Sequence, residues 1–354
     1  MTRTIPLDDN ATLLRDLGKD GRLVPYGGAN FGMPLELIEP EAPMIVPTER
    51  FFVRSNGPVP VIDPASWALS IDGLVARSVS VTLADLHAMP RRTFTSMLEC
   101  AGNGRTMFEP QPVGTPWSLD AAGCAVWEGV RLVDVLERAG VLPGAVDLVM
   151  QGGDFPEMQR GLPLAAALDP ETTLVFAMNG EPLSVAHGGP VRLLVPGWAG
   201  IASTKWLVGI TVLDRAFAGY WNADQYVIWS ADQEPLRQVQ QMPVRSVISR
   251  PSEGARVRAG AIEVAGYAWS GQGRVTMVEV SSDSGATWTE ASLTGSERRG
   301  WVRFAATVEV PAGEVTLLAR ATDERGLRQP MAVDWNLKGY QNNSVQRMRL
   351  TAEG

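Results

Sequence analysis

A cysteine in a glycine-rich turn is the most informative chemical feature of this sequence. Residues 98–105 read LECAGNGR, so small residues follow Cys100, while Asn103 and Arg105 place two hydrogen-bond donors two positions apart. Small residues let the backbone approach a bulky group, and a thiolate is both a nucleophile and a soft metal ligand. The same turn also fits a buried structural cysteine, so the segment alone leaves both interpretations open.

Two further segments carry charges that could hold an anion. Residues 51–60 (FFVRSNGPVP) place Arg54 after an apolar, strand-like run, and two prolines stiffen the chain that follows. Residues 197–206 (GWAGIASTKW) form a loop rich in glycine and hydroxyl groups that ends in Lys205. Such a loop could bind a phosphate through backbone N–H groups, although it is not a P-loop. Taken one at a time, Arg54 also fits a solvated salt bridge and Lys205 an exposed charge.

Two cysteines and two histidines restrict the metal sites that the chain can build. Structural zinc sites and cysteine-bound iron–sulfur clusters usually need four such ligands, and covalent c-type haem needs a Cys-x-x-Cys-His run. We therefore expect none of these sites. Cys100 and Cys124 could form one disulfide, but their separation in a large chain favours two thiols with different roles.

Length and composition indicate a globular protein of two domains, or of one large domain with an appendage. The chain has 354 residues, of which 45% are hydrophobic and 20% charged, and no stretch approaches the roughly 20 apolar residues of a membrane span. Its first ten residues have no apolar signal core, so we expect a cytoplasmic protein, or a periplasmic one if an export signal has been removed. The net charge of −8 makes nucleic acid an unsuitable partner.

The pattern along the chain predicts three regions. Residues 1–50 are rich in proline, glycine and acidic residues, which predicts an extended arm packed on the main domain. Residues 51–235 predict a mixed α+β domain, with a short helix after Thr82, a second helix over residues 130–138, and strands at 191–195 and 207–212. Residues 240–354 alternate with period two at 261–268, 274–281, 302–310 and 314–321. This last pattern predicts an all-β sandwich, against whose core we expect Trp269, Trp288 and Trp335 to pack.

Several of these segments together resemble the sulfite oxidase family of molybdenum enzymes. Residues 100–105 are similar to the family pattern Cys-Ala-Gly-Asn-x-Arg, and residues 52–60 to Phe-x-Arg-x-x-x-Pro-Val-Pro. Further similar segments, in the same order along the chain, are residues 127–132, 179–183, 187–192 and 205–207. Residues 266–271, residues 278–281 and Trp288 resemble the family's immunoglobulin-like dimerisation domain. Several ordered motifs are far more specific than any one of them.

The resemblance implies a cofactor and the residues that bind it. It implies one molybdenum–molybdopterin cofactor per chain, with Cys100 as the only protein ligand to the metal, and a soft thiolate suits such a metal. The residues that the resemblance assigns to cofactor binding are Asn56, Asn103, His187, Arg192, Ser203 and Lys205. Those that it assigns to catalysis and to the substrate pocket are Arg54, Arg105, Trp117, Asp154, Tyr226 and, as a weaker match, Arg299.

The resemblance also implies an activity, with two alternatives left open. It implies a homodimeric oxidoreductase that transfers an oxygen atom to the small anion sulfite, giving sulfate. No haem-binding segment precedes Phe51, so no haem is expected and electrons should pass to a separate acceptor such as a cytochrome. Asn56 stands where animal and plant members carry a histidine, which leaves reduction of an S- or N-oxide on the same fold as one alternative. A non-catalytic binding or scaffold protein is the other.

Overall fold

Short β-strands account for most of the regular structure. The computed structural model describes residues 3–7, 9–38, 44–295 and 298–354. Its α-helices are α1 (Asn10–Asp16), α2 (Leu83–His87), α3 (Leu132–Ala139) and α4 (Leu164–Ala167). The predicted α+β class is therefore corrected to a mostly β protein with a few helices of one or two turns. None of the helices in these ranges has the length and apolar character needed to cross a membrane.

The strands described up to residue 238 build the larger part of the protein. They are β1 (Arg3–Ile5), β2 (Val24–Pro25), β3 (Phe31–Gly32), β4 (Val59–Val61), β5 (Ala68–Gly73), β6 (Val79–Thr82), β7 (Arg92–Glu99), β8 (Ala122–Arg131), β9 (Asp147–Gly152), β10 (Gln159–Pro163), β11 (Thr173–Met178), β12 (Glu181–Pro182), β13 (Arg192–Leu194), β14 (Leu207–Leu213), β15 (Val227–Trp229) and β16 (Pro235–Gln238). The strands predicted at residues 191–195 and 207–212 are confirmed as β13 and β14.

Two sheets form the body of this part. The first has the order β10-β9-β14-β5-β6, in which β14 and β5 run parallel. The second has the order β12-β11-β8-β7, and β13 adds to β11. Strand β7 pairs with β8 along its whole length and ends at Glu99, so this sheet delivers Cys100 to the point where pairing stops.

Both predicted helices are present, and local chemistry explains their ends. At the start of α2 the Thr82 hydroxyl accepts a hydrogen bond from the Asp85 backbone N–H at 3.1 Å, and the Asp85 carboxylate accepts one from the Thr82 N–H at 2.9 Å. This reciprocal pair is a capping box. Helix α3 ends at Gly140, whose φ of 69° lies in the left-handed region that favours glycine.

The N-terminal segment contains a helix that the sequence analysis missed. Helix α1 begins after Asp9, whose carboxylate accepts hydrogen bonds from the backbone N–H groups of Ala11 and Thr12 at 3.0 Å. Leu13 and Leu17 are buried in the same core as the aromatic residues near Cys100. Two turns give too short a pattern for a periodicity argument. Residues 1, 2, 8 and 39–43 of the predicted arm lie outside the described residues.

The strands described after residue 240 form two further sheets. They are β17 (Arg245–Arg250), β18 (Arg256–Arg258), β19 (Gly260–Trp269), β20 (Val275–Ser281), β21 (Thr289–Glu290), β22 (Ser292–Thr294), β23 (Val302–Val310), β24 (Gly313–Asp323) and β25 (Met348–Glu353). The sheet orders are β17-β19-β23-β22 and β18-β25-β24-β20-β21, and residues from both sheets share one apolar core. The four predicted segments are confirmed as β19, β20, β23 and β24.

The tryptophans of this part do not all pack as predicted. Trp269 is fully buried, but it lies in the apolar cluster that contains Cys100 and Trp117 and not in the core shared by the two C-terminal sheets, so its predicted position was wrong. Trp288 is only half-buried. The guanidinium carbon of Arg320 lies over the Trp288 ring, 3.7 Å from the ring centroid. Trp335 contacts the larger part of the protein instead, because its Nε1 donates a hydrogen bond to the Pro110 carbonyl at 2.7 Å. The prediction for Trp335 was wrong because a contact between distant segments leaves no local pattern.

Candidate active site

Cys100 lies just beyond β7 in a tight turn that requires small residues. Its N–H donates to the Ala121 carbonyl at 2.9 Å, and its carbonyl accepts from the Asn103 N–H at 2.9 Å. Gly104 has a φ of 81°, and a Cβ there would approach Nη1 of Arg245 to 3.0 Å. Backbone conformation and close packing therefore both favour glycine at this position.

Two cavities, called cavity A and cavity B here, meet at Cys100. Cavity A comprises about 710 Å³ of space between the side chains, counted together with the open solvent at its mouth. The predicted site residues that line it are Arg54, Asn56, Cys100, Asp154, His187, Arg192, Ser203, Lys205 and Tyr226. Those that line cavity B are Arg54, Cys100, Arg105, Trp117 and Tyr226. Arg54, Cys100 and Tyr226 line both, so they mark the junction.

Lys205 enters cavity A through a gap left by a glycine. A Cβ at Gly188 would lie 2.6 Å from the Lys205 Cβ, so a larger residue there would displace the lysine. Lys205 Nζ donates to Ser55 Oγ at 2.8 Å and to the Ala186 carbonyl at 3.2 Å. Burial, followed by the charge of Arg192, holds the pKa of Lys205 well below its ordinary value. An anion in cavity A would stabilise the ammonium form.

Arg192 connects two backbone segments that form part of the wall of cavity A. Its guanidinium donates to the His187 carbonyl at 3.0 Å and to the Ser203 carbonyl at 2.7 Å. Burial lowers the pKa of Arg192 to about 9. Ser203 Oγ accepts a hydrogen bond from the Val195 N–H at 3.1 Å, whereas the buried Thr204 Oγ1 has no hydrogen-bond partner among the described residues. The Thr204 hydroxyl can therefore serve a group inside the cavity.

Lys19 is a buried cation of this site that the sequence analysis missed. Its Nζ donates to the Thr48 carbonyl at 2.5 Å and to the Phe51 carbonyl at 2.9 Å, and lies 2.5 Å from Nε2 of His187. Burial lowers the pKa of Lys19 to about 7. Burial and then the charge of Lys19 hold the pKa of His187 well below its ordinary value, so this imidazole is neutral at neutral pH.

Asp154 is the one carboxylate among the described residues that line cavity A. Burial raises its pKa to about 6, and its Oδ1 is buried with no hydrogen-bond partner in the described part of the chain. Lys19, Arg192, Lys205 and this carboxylate therefore form a buried cluster in which cations outnumber anions. Such a cluster is costly without a bound anion.

Arg54 projects its guanidinium to the junction of the two cavities. It donates to Asn30 Oδ1 at 3.0 Å and to Asn56 Oδ1, and the same Asn56 oxygen accepts from the Tyr226 hydroxyl at 3.4 Å. Burial alone would lower the pKa of Arg54, but Tyr226 and Cys100 raise it above its ordinary value. Arg54 is therefore a fixed cation beside the thiol.

Two further residues near Tyr226 were absent from the sequence-based set. The ring of Tyr340 stacks on Tyr226 with centroids 5.1 Å apart, and the Arg160 guanidinium lies 5.9 Å from the Tyr226 ring centroid. Arg160 also donates to the Val239 carbonyl at 3.0 Å, and burial lowers its pKa to about 10. Burial raises the pKa of Tyr340. No motif marks either residue, because both reach the site from distant segments.

Arg105 and Trp117 face cavity B. Arg105 donates to the Lys338 carbonyl at 2.9 Å and to the Thr115 carbonyl, and its guanidinium lies 5.2 Å from the Tyr340 ring centroid. These contacts hold the guanidinium in one orientation. Trp117 is fully buried, and its Nε1 has no hydrogen-bond partner among the described residues. Its N–H is thus free to donate to a ligand in cavity B.

Two predicted site residues do not reach either cavity. Asn103 is fully buried behind the turn, where its amide donates to Glu99 Oε1 at 2.9 Å. Arg299 donates to Glu171 Oε2 at 2.7 Å and to the Gly271 carbonyl at 2.9 Å. The structure of the single chain therefore gives both residues structural contacts. A motif match fixes position along the chain but not the direction of a side chain.

The two cysteines are separate thiols, as the sequence favoured. Cys124 lies in β8 opposite Met97 and is fully buried. In the described ranges, no group of three or more His, Cys, Asp or Glu side chains could hold a metal ion. A metal at Cys100 would therefore have to bring most of its own ligands.

Comparisons with known proteins agree with this geometry. Residues 56–221 match the family described as "Oxidoreductase molybdopterin binding domain", and residues 236–353 match the "Mo-co oxidoreductase dimerisation domain". A molybdenum cofactor of the pterin type is thereby assigned to residues 56–221, which supply Cys100 and most of the lining of cavity A. The thiol, the excess of buried cations and the unpaired polar atoms of cavity A fit an anionic cofactor that supplies its own metal ligands.

Alignments with individual relatives cover most of the chain. The mitochondrial sulfite oxidase of Drosophila melanogaster is 36% identical over 337 residues, which cover 86% of this chain and 59% of that protein. This chain thus spans less than two thirds of that relative. The sulfite oxidase of Arabidopsis thaliana is 33% identical, with 86% of this chain and 88% of that protein covered. The crystal structure of the sulfane dehydrogenase SoxCD from Paracoccus pantotrophus superposes with a TM-score of 0.85 at 30% identity, covering 99% of this chain and 92% of that one.

Proposed function

Because the chain belongs to the sulfite oxidase family of molybdopterin-dependent oxidoreductases, we propose that it oxidises sulfite to sulfate and passes the electrons to a separate acceptor. The overall reaction adds one oxygen atom from water to sulfite and releases two electrons and two protons. The observation that carries the proposal is the excess of buried positive charge in cavity A beside a single thiol. A small anion and an anionic cofactor both match that charge.

Cavity A is the proposed cofactor site. Cys100 is the proposed protein ligand to molybdenum, and Lys205, His187 and Arg192 supply the positive and polar wall for the pterin and its phosphate. When bound, the cofactor supplies the transferred oxygen and accepts two electrons. The unpaired Thr204 Oγ1 and Asp154 Oδ1 support this assignment, because buried polar atoms usually have partners.

Cavity B is the proposed substrate site. Arg54 and Arg105 hold the sulfite dianion, because guanidinium groups bind oxyanions through paired N–H donors. Tyr226 donates a hydrogen bond close to the reacting oxygen, and Trp117 adds its unpaired N–H. Fixed donors of this kind orient the substrate and exclude water without reorganising during the reaction.

A sulfane sulfur compound is the second candidate substrate. The solved structure that superposes over 99% of this chain is named a sulfane dehydrogenase. Asn56 also supports this candidate. An amide beside Arg54 stays neutral at every pH, whereas an imidazole there could add a positive charge to the pocket. A terminal sulfane sulfur carried by an anion would still engage the two arginines.

The proposed division of the chain is an arm over residues 1–50, a cofactor domain over 51–235 and a dimerisation domain over 240–354. We assign the last domain to the immunoglobulin-like class and to a homodimer contact. Its two sheets around a shared core and its match to a dimerisation family support this. Light scattering of the full chain at micromolar concentration should give twice the monomer mass, and a monomer would contradict the assignment.

Enzyme purified from a host that makes the cofactor tests the proposed function. Molybdenum content and the fluorescence of oxidised pterin are measured per chain, and turnover is followed with an artificial one-electron acceptor. Sulfite and thiosulfate are compared as reductants, and a sulfoxide is offered as oxidant to dye-reduced enzyme. We expect near-stoichiometric molybdenum and sulfite-dependent acceptor reduction.

Each alternative result has a distinct meaning. Turnover with thiosulfate but not sulfite would assign a sulfane substrate. Reoxidation by the sulfoxide with no sulfite turnover would assign an oxide reductase. Absence of both molybdenum and pterin would contradict the enzyme proposal and leave a binding or scaffold protein.

A further inference from the structure

Lys19 occupies a position where each of its protons has one acceptor. The ammonium group of a lysine has three N–H donors and no acceptor. Around Nζ of Lys19 lie the Thr48 carbonyl at 2.5 Å, the Phe51 carbonyl at 2.9 Å and Nε2 of His187 at 2.5 Å. The two carbonyls can only accept, so in the ammonium form, which predominates below the Lys19 pKa of about 7, the third N–H points at the imidazole nitrogen.

This arrangement determines which nitrogen of His187 carries its proton. A proton on Nε2 would face an N–H of Lys19 and create a donor–donor clash, with only the Thr48 carbonyl at 3.4 Å as a distant acceptor. Nε2 must therefore accept, and in a neutral ring the proton then resides on Nδ1. Among the described residues, the polar contacts of the ring are made by Nε2.

We propose that Lys19 is a positioning residue that holds His187 as the Nδ1–H tautomer, so that the imidazole presents a donor to the cofactor in cavity A. The matching cofactor group is an acceptor, namely a pterin carbonyl or ring nitrogen or a phosphate oxygen. The tautomer follows from contacts within the chain. Only the identity of the acceptor rests on the proposed function.

The surroundings of His187 keep the ring neutral, as the proposal requires. The charged groups that face it are Lys19, Arg192 and Lys205, all cations. Its ring and the ring of Phe51 are nearly perpendicular, with centroids 5.4 Å apart. A second proton on the ring would add a charge to an already cationic, buried cluster.

The choice of lysine at position 19 supports a specific role. The chain contains three lysines and 28 arginines, so lysine is rarely used here as a general surface cation. All three lysines lie at the two cavities or in contact with a residue that lines one: Lys205 in cavity A, Lys338 in cavity B and Lys19 against His187. A compact ammonium satisfies three converging acceptors, whereas a planar guanidinium cannot.

The two histidines of the chain make the tautomer directly measurable. Long-range ¹H–¹⁵N correlation spectra of histidine-labelled, cofactor-free protein at pH 6 contain only His87 and His187. His87 is exposed and serves as an internal reference. We expect the Nδ1–H pattern for His187 in the parent. Lys19→Met should abolish or change that pattern, whereas Lys338→Met should leave it unaltered.

The parent spectrum alone can overturn the inference, even if Lys19→Met folds poorly. An Nε2–H pattern or an imidazolium for His187 in the parent would overturn it. A second variant, Lys19→Arg, retains the charge but not the geometry, and we expect the tautomer to change in it as well. An unchanged Nδ1–H pattern in well-folded Lys19→Met would also overturn the role assigned to Lys19.

Cofactor retention tests the consequence for binding. Pterin fluorescence per chain after prolonged dilution should fall in Lys19→Met on the order of tenfold, the scale of losing a residue that orients a ligating side chain. Equal retention in parent and variant would overturn the positioning role. If the parent shows the Nδ1–H tautomer but binds no pterin, the proposed function fails while the tautomer stands. If the parent binds pterin with the other tautomer, only this inference fails.

Discussion

Glu99 and Arg245 form a buried ion pair directly behind Cys100, with Oε1 and Nε 3.0 Å apart. Glu99 is the last residue of β7, and Arg245 is the first residue of β17 in the C-terminal part. The same carboxylate accepts from Asn103 at 2.9 Å and from Trp269 Nε1 at 3.0 Å. The Glu99 carboxylate is therefore one anchor between the turn that holds Cys100 and the β-rich C-terminal part.

Breaking this pair from one side should destabilise the protein strongly. Glu99→Gln leaves Arg245 as a buried cation, and Arg245→Met leaves the carboxylate without its counter-charge. We expect each change to lower the free energy of unfolding by about 3–5 kcal/mol, the usual cost of an unpaired buried charge. The double variant should lose clearly less than the two single losses combined. Urea denaturation of the four proteins measures this, and simple additivity would mean that the pair does not interact.

The sequence predicted those parts of the site that are local in the chain. Cys100 and Arg54 stand in short motifs with fixed spacing, and both line the cavities. Lys19 and His187 are 168 residues apart, so nothing in either segment could reveal their contact. Asn103 shows the opposite difficulty, since it stands in the right motif but its side chain turns inward to Glu99.

The same distinction explains the fold predictions. The start of α2 depends on Thr82 and Asp85, which are three residues apart, and the end of α3 depends on Gly140, the next residue along the chain. Both signals are local in the sequence. The position of Trp335 against the Pro110 carbonyl depends on how two distant segments meet. Contacts of that kind are decided by packing, which the order of residues along one segment does not encode.

Cys100→Ser should abolish the proposed sulfite oxidation while leaving the fold intact. A hydroxyl is a harder ligand that loses its proton far less readily than a thiol, so molybdenum coordination should be impaired. Steady-state turnover and molybdenum content are compared with those of Cys124→Ser. Cys124 is buried in β8, so its variant can lose some stability but should retain turnover per bound molybdenum. Parent-like turnover in Cys100→Ser would show that the thiol is not the metal ligand.

Arg54→Gln should mainly raise KM for sulfite. An amide can replace one hydrogen bond but neither the charge nor the paired donors, so we expect a loss of roughly 2–5 kcal/mol in kcat/KM. Arg299→Gln is the matched control, because Arg299 is held by Glu171 outside both cavities. Its KM should stay near that of the parent. Equal losses in the two variants would contradict the assignment of Arg54 to the anion.

Asp154→Asn should change how stability depends on pH in the cofactor-free protein. The folded-state pKa of Asp154 is raised from 3.8 to about 6 by burial, so between these values the folded protein binds more protons than the unfolded chain. The contribution of Asp154 to the free energy of unfolding of the parent therefore falls as pH rises through that window. We expect the stability of Asp154→Asn relative to the parent to increase by about 2 kcal/mol between pH 4 and 7. Urea denaturation of both proteins at pH 4 and pH 7 measures this difference. A difference that is the same at both pH values would show that Asp154 does not titrate in this window.

Trp117→Phe removes one N–H from cavity B while keeping an aromatic ring in the core. Nε1 of Trp117 is buried and has no hydrogen-bond partner among the described residues, so a ligand in cavity B is the natural acceptor. Losing a hydrogen bond to a charged acceptor should reduce kcat/KM for sulfite by about 1.5–3 kcal/mol. The smaller ring also costs packing, which the melting temperature of the variant reports separately. A variant with lower melting temperature but unchanged kcat/KM would assign Trp117 to the core alone, with no role in holding the anion.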